Sequence, residues 1–333
     1  MKPNLTIYTV FYNRGFCLNE TVDSLLQYSP DETGIVIVDD FSTDDTAEIA
    51  RKLERKHSQV HYLKSNSNLG FTKCLQNAIN ITQKNNPTKY IAIHGSGDLC
   101  TDFRFKKQVD YLELNDDFCA VACKHSLLNR ADEVVYTSRF SGEVMLNNLE
   151  SPPKWTHGTI IYRVSAFNEV GGYNPLFKFC QDWDLYVRLL SVGKIFVLND
   201  VAYSKKVFDD GATFNPKKRF EQIKYAEVIR LQLNKNDTER NDTYNFISEY
   251  GLDEYLATKE SLLLKKSVKS FFTLIITGEY KMALMWLGIF RKNITFGRRL
   301  YLEVVAIIIY IIDSNRLTRF FFRRLVLLMR NLF

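Results

Sequence analysis

The chain has few cysteines, no dinucleotide-binding loop and no long apolar run, and each shortage removes a class of protein. Its six cysteines are scattered and none stands in a C-x-x-C pair, which suits buried thiols in a reducing cytoplasm. Cys119, Cys123 and His125 lack zinc-finger spacing; alternation along a strand would put all three on one face without making them ligands. The first loop carries no G-x-G-x-x-G, and Gly95-Ser96-Gly97 fails that pattern because Cys100 stands where the third glycine belongs, so a dinucleotide-dependent enzyme is disfavoured. The apolar stretch from Val304 to Ile312 is nine residues long and closed by Asp313, too short for a bilayer span of about 20 residues. A strand expected within five residues of Met1 leaves no place for a secretory signal. No low-complexity linker interrupts the chain, and no RNA- or DNA-binding motif accompanies its basic residues, so nucleic acid is not an expected partner.

What is present is a repeating strand and helix unit. Leu5 to Val10 reads as a strand, Tyr12-Asn13-Arg14-Gly15 as a turn, and Leu18, Val22, Leu25 and Leu26 as one face of a helix. The most informative run is Ile35-Val36-Ile37-Val38-Asp39-Asp40-Phe41-Ser42-Thr43-Asp44-Asp45-Thr46. Its β-branched part predicts a strand buried on both faces, and Ser42, Thr43 and Asp44 can cap a helix beginning near Asp45. Val60 to Leu63, Phe71 to Ile81 and Tyr90 to Ile93 continue the alternation. Such a pattern predicts an α/β fold: a mostly parallel sheet of Rossmann-like character with helices on both faces. Asp39 and Asp40 then sit at the carboxyl edge of a parallel strand, where ligands bind in open α/β sheets. The same carboxylates can also serve only to cap the next helix.

Five segments together resemble glycosyltransferase family 2, the inverting enzymes with a GT-A fold. They are Thr9-Val10-Phe11-Tyr12-Asn13-Arg14, Val38-Asp39-Asp40-Phe41-Ser42, Asn68-Leu69-Gly70, Gly95-Ser96-Gly97-Asp98, and Gly171-Gly172-Tyr173-Asn174 followed by Gln181-Asp182-Trp183-Asp184-Leu185-Tyr186-Val187-Arg188, in the family's order and spacing. The likeness covers about residues 3–212. It implies a nucleotide-diphosphate sugar donor held by Thr9, Phe11, Tyr12, Asp39, Asp40, Lys73 and Gly97, a divalent Mn²⁺ or Mg²⁺ on Asp98, and Asp182 as catalytic base. His157, Gln181 and Trp183 fall on the acceptor side; His157 is placed equally well as a structural histidine.

Two departures stand out. The family's acidic D-x-D or D-x-D-D cluster is here Gly95-Ser96-Gly97-Asp98, which leaves one carboxylate, and Gln181 replaces the usual Glu before Asp182. One carboxylate with diphosphate oxygens and water is still acceptable to Mg²⁺ or Mn²⁺. Asp182 can equally cap the helix running to about Leu190; Asp184 and Arg188, four apart, are expected to pair; Lys73 and Arg104 are basic residues able to meet phosphate.

The remainder, residues 213–333, reads as an α-helical extension to a 1–212 transferase domain. Phe220 to Leu233 has helical spacing, Asn234-Lys235-Asn236-Asp237-Thr238 breaks it, and Tyr244 resumes it. From Lys265 onward thirteen Lys and Arg stand against Glu279, Glu303 and Asp313, a net of +10, which leaves −4 for the rest of a chain whose total is +6. Arg316, Arg319, Arg323, Arg324 and Arg330 interleave with Phe320, Phe321, Phe322 and Leu325. Such a segment suits the headgroup layer of an anionic membrane, or packing on the catalytic domain or a second subunit. The reading is a membrane-peripheral cytoplasmic enzyme that glycosylates a glycan or lipid-linked oligosaccharide in bacterial surface polysaccharide synthesis, of the O-antigen (lipopolysaccharide) or capsule kind. The alternatives are a non-catalytic GT-A-fold scaffold in the same pathway, because only Asp98 remains of the acidic cluster, and a nucleotidyltransferase, disfavoured by the lack of a glycine-rich basic phosphate loop.

Overall fold

The computed structural model describes residues 4–208 and 216–257. The chain divides into two compact units after Phe208. In the first, the strands are β1 (Leu5–Phe11), β2 (Thr33–Asp39), β3 (Val60–Lys64), β4 (Tyr90–His94), β5 (Leu99–Cys100), β6 (Phe118–Leu128), β7 (Val134–Thr137), β8 (Gly142–Glu143), β9 (Ile161–Arg163) and β10 (Lys194–Lys206). Its helices are α1 (Gly15–Tyr28), α2 (Thr46–Lys56), α3 (Phe71–Asn85), α4 (Arg104–Leu114), α5 (Val164–Glu169) and α6 (Gln181–Leu189). The sheet order is β3-β2-β1-β4-β9-β6-β10-β5, with β7 on β6 and β8 on β10.

The fold class expected from the alternation is the one observed. All seven residues of β1 and all seven of β2 are buried, the signature of central parallel strands covered on both faces. β1 pairs in parallel with β2 from Leu5↔Thr33 to Phe11↔Asp39, and with β4 from Leu5↔Tyr90 to Thr9↔His94. β9 is antiparallel to both β4 and β6, and β10 is parallel to β6. Ile7, Phe11, Leu18, Leu25, Ile35, Ile37, Phe105, Val121 and Ile161 belong to one buried cluster, and full burial of an aliphatic or aromatic side chain contributes roughly 1.5–3 kcal/mol.

The chain runs outward from β1 through β2 to β3, then returns to β4 on the other flank of β1. Strand order therefore reverses between β1 and β4, and the connections leaving their carboxyl ends diverge to leave a crevice. Residues 12–14 and 95–98, which follow these two strands, form its lips.

The second unit contains α7 (Pro216–Gln232), α8 (Asp237–Tyr250) and α9 (Leu252–Ala257). Helix resumes earlier than the spacing predicts: α8 starts at Asp237, because Asn236 accepts the Glu239 N–H while the Glu239 carboxylate accepts the Asn236 N–H. That reciprocal cap satisfies two N–H groups a helix start leaves open. No helix among the described residues is long and apolar enough to cross a membrane. The basic apolar stretch from Lys265 lies outside the described residues.

His94 ends β4 in full burial. Its Nε2 lies 3.1 Å from the Asp98 carbonyl oxygen, to which Nε2–H donates, and its Nδ1 has no hydrogen-bond partner. Burial, then the Arg104 charge, push its pKa down to about 3 against that hydrogen bond. The folded chain thus keeps His94 neutral where an unfolded histidine, with a pKa near about 6.5, takes a proton. Stability should fall as pH drops below about 6.5, by up to about 1.4 kcal/mol per pH unit. Thermal unfolding midpoints between neutral pH and pH of about 5 should show this slope, and His94→Gln, which retains an N–H donor, should flatten it.

Candidate active site

The β2 carboxylates are spent on the architecture of the crevice. Asp39 has no exposed surface; its Oδ1 accepts the Ser42 N–H at 2.7 Å and its Oδ2 accepts the Tyr62 hydroxyl at 2.6 Å, with Lys64 Nζ at 3.8 Å. Asp40 reaches across to the Asn68-Leu69-Gly70 loop, accepting the N–H groups of Leu69 at 2.7 Å and Gly70 at 2.9 Å. Burial, with a smaller push from Asp39, raises the Asp40 pKa against those two hydrogen bonds. These bonds explain two motifs at once: Asp40 fastens the loop that opens α3, and Gly70, at φ +78°, supplies a turn that L side chains rarely adopt.

Of the three candidate caps after β2, Asp44 is the one that serves. One of its oxygens accepts the Gly15 N–H at 3.0 Å and the other the Thr46 N–H at 3.1 Å, so one carboxylate serves the first turns of α1 and α2. Burial tends to raise its pKa, but the Thr46 and Gly15 hydrogen bonds outweigh this and lower it. Ser42 and Thr43 turn instead to Asn13: Ser42 Oγ accepts the Asn13 N–H, and Asn13 Oδ1 accepts the Thr43 N–H at 2.8 Å. Asn13 takes φ +52° to do so, a conformation in which Asn is several-fold enriched.

Of the expected donor contacts, Tyr12 is an exposed aromatic at the crevice lip, and Lys73 is exposed on α3. Phe11 differs from expectation: its side chain has no exposure and belongs to the core, and its contribution to this edge is its carbonyl, which accepts the Asp40 N–H at 2.9 Å. Thr9 is likewise fully enclosed, with no hydrogen-bond partner for its hydroxyl. Arg104 is a structural residue: buried to 1 % exposure, it donates to the Ile93 carbonyl at 3.1 Å and lies over the Tyr203 ring at 5.3 Å.

The loop after β4 is organised by a residue that the motifs do not reveal. Tyr203, buried on β10, accepts the Gly95 N–H at 3.0 Å on its hydroxyl oxygen and donates its proton to Asp98 Oδ2. Asp98 Oδ1 accepts the Lys206 N–H at 2.9 Å. Burial raises the Asp98 pKa against these two hydrogen bonds and the charges of Lys205 and Arg14. A Cβ at Gly95 would stand 2.8 Å from the Tyr203 hydroxyl, and one at Gly158 only 2.0 Å from it. Both glycines are required by one tyrosine. In the sequence, only the glycine richness of 95–97 hints at it. Arg14 crosses the crevice from the other lip, its Nη1 donating to the Ser96 carbonyl at 2.9 Å.

On the acceptor side, the segment before β9 and the start of α6 come together. His157 Nε2 is 2.6 Å from the Tyr173 hydroxyl, which donates to Tyr162 at 3.3 Å, and the Phe71 ring meets the His157 ring at 5.8 Å between centroids. Burial lowers the His157 pKa against the pull of the Asp182 charge. Burial also raises the pKa of Tyr162, Tyr173 and Tyr186, with the Asp182 charge a further cause at each. Asp182, in the first turn of α6, lies within electrostatic reach of this cluster; it is partly exposed, as is Gln181 before it. Trp183 is not available as an acceptor contact, being 1 % exposed with its Nε1–H on the Leu149 carbonyl at 3.0 Å. Asp184 and Arg188 pair as expected, at 2.6 Å, while Arg188 also donates to the Val170 carbonyl. Thr72, donating to the Phe177 carbonyl at 2.8 Å, joins α3 to the segment leading into α6.

With this geometry in view, the comparisons with known proteins decide the family. Residues 6–171 match the profile described as glycosyl transferase family 2. The chain belongs to that family, as its motifs suggest, and it is a glycosyltransferase. A glycosyltransferase of Rickettsia typhi is 23 % identical over 292 residues, spanning 83 % of this chain and 89 % of the relative. A chondroitin synthase of Pasteurella multocida is 25 % identical over 95 % of this chain, which spans only 32 % of that larger protein. Relatives thus include polysaccharide synthases. Among solved structures, S. aureus TarS 1–349 in complex with UDP-GlcNAc aligns with TM-score 0.54 at 18 % identity, covering 82 % of this chain and 81 % of that one. The mannosyltransferase PcManGT of Pyrobaculum calidifontis, in complex with GDP-Man and Mn²⁺, aligns with TM-score 0.55 at 14 % identity over 100 % of this chain and 88 % of its own. These likenesses establish the GT-A fold.

Tyr203→Phe should separate packing from bonding in this loop. The ring remains between Gly95 and Gly158, but a buried Asp98 oxygen and the Gly95 N–H each lose a partner, which should cost about 1–3 kcal/mol. Chemical denaturation should register that loss with an unchanged m value.

Proposed function

We propose that this protein is an inverting transferase that moves a sugar from a nucleoside-diphosphate donor to a hydroxyl of a glycan or lipid-linked acceptor in bacterial surface polysaccharide synthesis. The observation that carries the reading is Asp182: a partly exposed carboxylate at the start of α6, whose charge acts on both members of the His157–Tyr173 pair, with no side-chain hydrogen bond of its own among the described residues. Asp39, Asp40, Asp44 and Asp98, by contrast, all have both oxygens engaged within the protein.

In this reading Asp182 takes the proton of the acceptor hydroxyl. The acceptor oxygen then attacks the anomeric carbon from the face opposite the diphosphate, forming one C–O bond as the other breaks, and the diphosphate leaves with the electron pair. On this reading Tyr12, the backbone around Asp39 and Asp40, Lys73 and the Gly97 turn would meet the donor, and His157 and Gln181 the acceptor. The polysaccharide context draws on the synthases among the relatives.

Asp182→Asn should lower the release of nucleoside diphosphate from nucleotide sugars by about 10²-fold or more, the scale of a lost general base, while nucleotide affinity stays within a few-fold. Asn retains the helix-start geometry, so unfolding should be unchanged. A panel of nucleotide sugars assayed for released diphosphate checks both; turnover retained with a normal pH dependence contradicts the assignment. A protein that binds nucleotide and turns over none of the panel would instead be the non-catalytic scaffold.

The sequence from Lys265 onward supports a peripheral seat on an anionic membrane, since arginines near such a surface contribute roughly 1 kcal/mol each. Deleting residues 315–333 should release the protein from anionic vesicles in low salt and leave diphosphate release intact. Co-sedimentation of the full chain across a salt series is the control, because exposed charges are screened over a Debye length of about 8 Å at physiological ionic strength.

A further inference from the structure

The turn that follows β2 carries an aromatic side chain on a backbone that aromatic residues avoid. Phe41 has φ +67°. The other non-glycine residues with positive φ among those described are Asn13, Asp102, Asp132 and Cys180, and Asn and Asp visit this region readily because their short polar side chains bond locally. For a bulky side chain it is unfavourable, since Cβ crowds the following carbonyl oxygen, whereas glycine adopts it freely. Neighbouring bonds hold the turn in place. Asp39 Oδ1 accepts the Ser42 N–H at 2.7 Å, the Asp40 N–H donates to the Phe11 carbonyl at 2.9 Å, and Asn13 Oδ1 accepts the Thr43 N–H at 2.8 Å. Strained backbone persists only where its surroundings over-determine it in this way, and it gathers at ligand sites.

The ring itself does little for the fold. Phe41 is 44 % exposed, and its one ring or charge contact among the described residues is with Lys64, whose Nζ lies 5.6 Å from the ring centre. Lys64 is fixed in turn, its Nζ donating to the Ser42 carbonyl at 3.3 Å and standing 3.8 Å from Asp39 Oδ2. The result is a planar apolar surface, backed by a lysine and largely open to water. Its place is the carboxyl end of β2 beside β1, the edge at which open α/β sheets bind ligands. Tyr12, 48 % exposed, stands there too, one residue beyond the Phe11↔Asp39 pair. The segment that holds His157 packs against β4 and β6, across β1 from this turn.

We propose that the Phe41 ring is a stacking face for the nucleobase of the donor. The inference rests on the nucleotide-sugar reading above and deepens it by naming what the base lies against. Every nucleobase has a π face, and stacking on an aromatic side chain tolerates any base. Phe41 therefore supplies affinity without choosing between bases. Because the ring is fixed before the ligand arrives, less freedom is lost on binding.

Calorimetry of the full chain with free UDP and free GDP tests this, in buffer holding Mn²⁺, which diphosphate oxygens and the lone pairs that Asp98 keeps beyond its two hydrogen bonds can meet. Whichever nucleotide the parent binds, Phe41→Gly and Phe41→Leu should each weaken it about tenfold or more, whereas Phe41→Tyr, which keeps the ring, should hold it within about threefold. Leucine retains apolar bulk and the strain, so its loss of affinity isolates the aromatic face. Thermal melts give a second readout: Phe41→Gly should unfold at a higher temperature than Phe41→Ala, since both lack the ring and only alanine keeps a Cβ at this φ. Unchanged nucleotide affinity in a folded Phe41→Gly or Phe41→Leu protein overturns the proposal and leaves the nucleotide-sugar reading standing. So does a Phe41→Tyr protein that binds as weakly as Phe41→Gly. An alanine variant as stable as the glycine one removes the strain at this turn, and the proposal with it. If the parent binds neither nucleotide, both readings fail.

Discussion

The hydroxyl of Tyr203 is the point on which the crevice depends. A buried carboxylate without partners is costly, and Asp98 avoids that cost because the Tyr203 phenol and the Lys206 backbone N–H, both from β10, reach its two oxygens. The same phenol oxygen accepts the Gly95 N–H and packs on Gly158, so one group ties the loop after β4 to the segment that carries His157. The two glycines follow from that packing. Each leaves room for a ring that a side chain at either position would displace.

The acids of this site divide by what their oxygens do. Asp39, Asp40, Asp44 and Asp98 each hold backbone N–H groups of loops that would otherwise be loose, and in doing so they fix the crevice before any ligand arrives. Ordering those loops in advance reduces the conformational entropy that binding would have to overcome. Asp182 differs from these four in having its carboxylate uncommitted among the described residues, and its charge acts on the cluster of His157, Tyr162, Tyr173 and Tyr186.

The fold itself leaves the chemistry open, since one sheet architecture serves many reactions. What narrows it here is the family to which the sequence belongs; the strand-order reversal with a polar lip on each side is where the proposed reading seats the donor. The departure from the family at Gly95 and Gly97 is consistent with the rest of the packing, because Tyr203 and Phe208 occupy the vacated space.

The alternation of apolar runs and helical faces was enough to determine the parallel sheet and its helices, because burial on both faces forces an unbroken β-branched pattern and burial on one face forces a helical one. The order of five short motifs was enough to determine the family. Position along the chain also placed Asp39, Asp98 and Asp182 at or beside element ends. What each side chain does there was decided by tertiary structure. Phe11 and Trp183 lie within motifs yet point into the core, Arg104 is spent on the Ile93 carbonyl, and Tyr203, outside every motif, governs the loop. A motif records which residue stands at an edge, whereas the direction of its side chain and the partners its polar atoms find depend on strands and helices that are distant in sequence and adjacent only after folding.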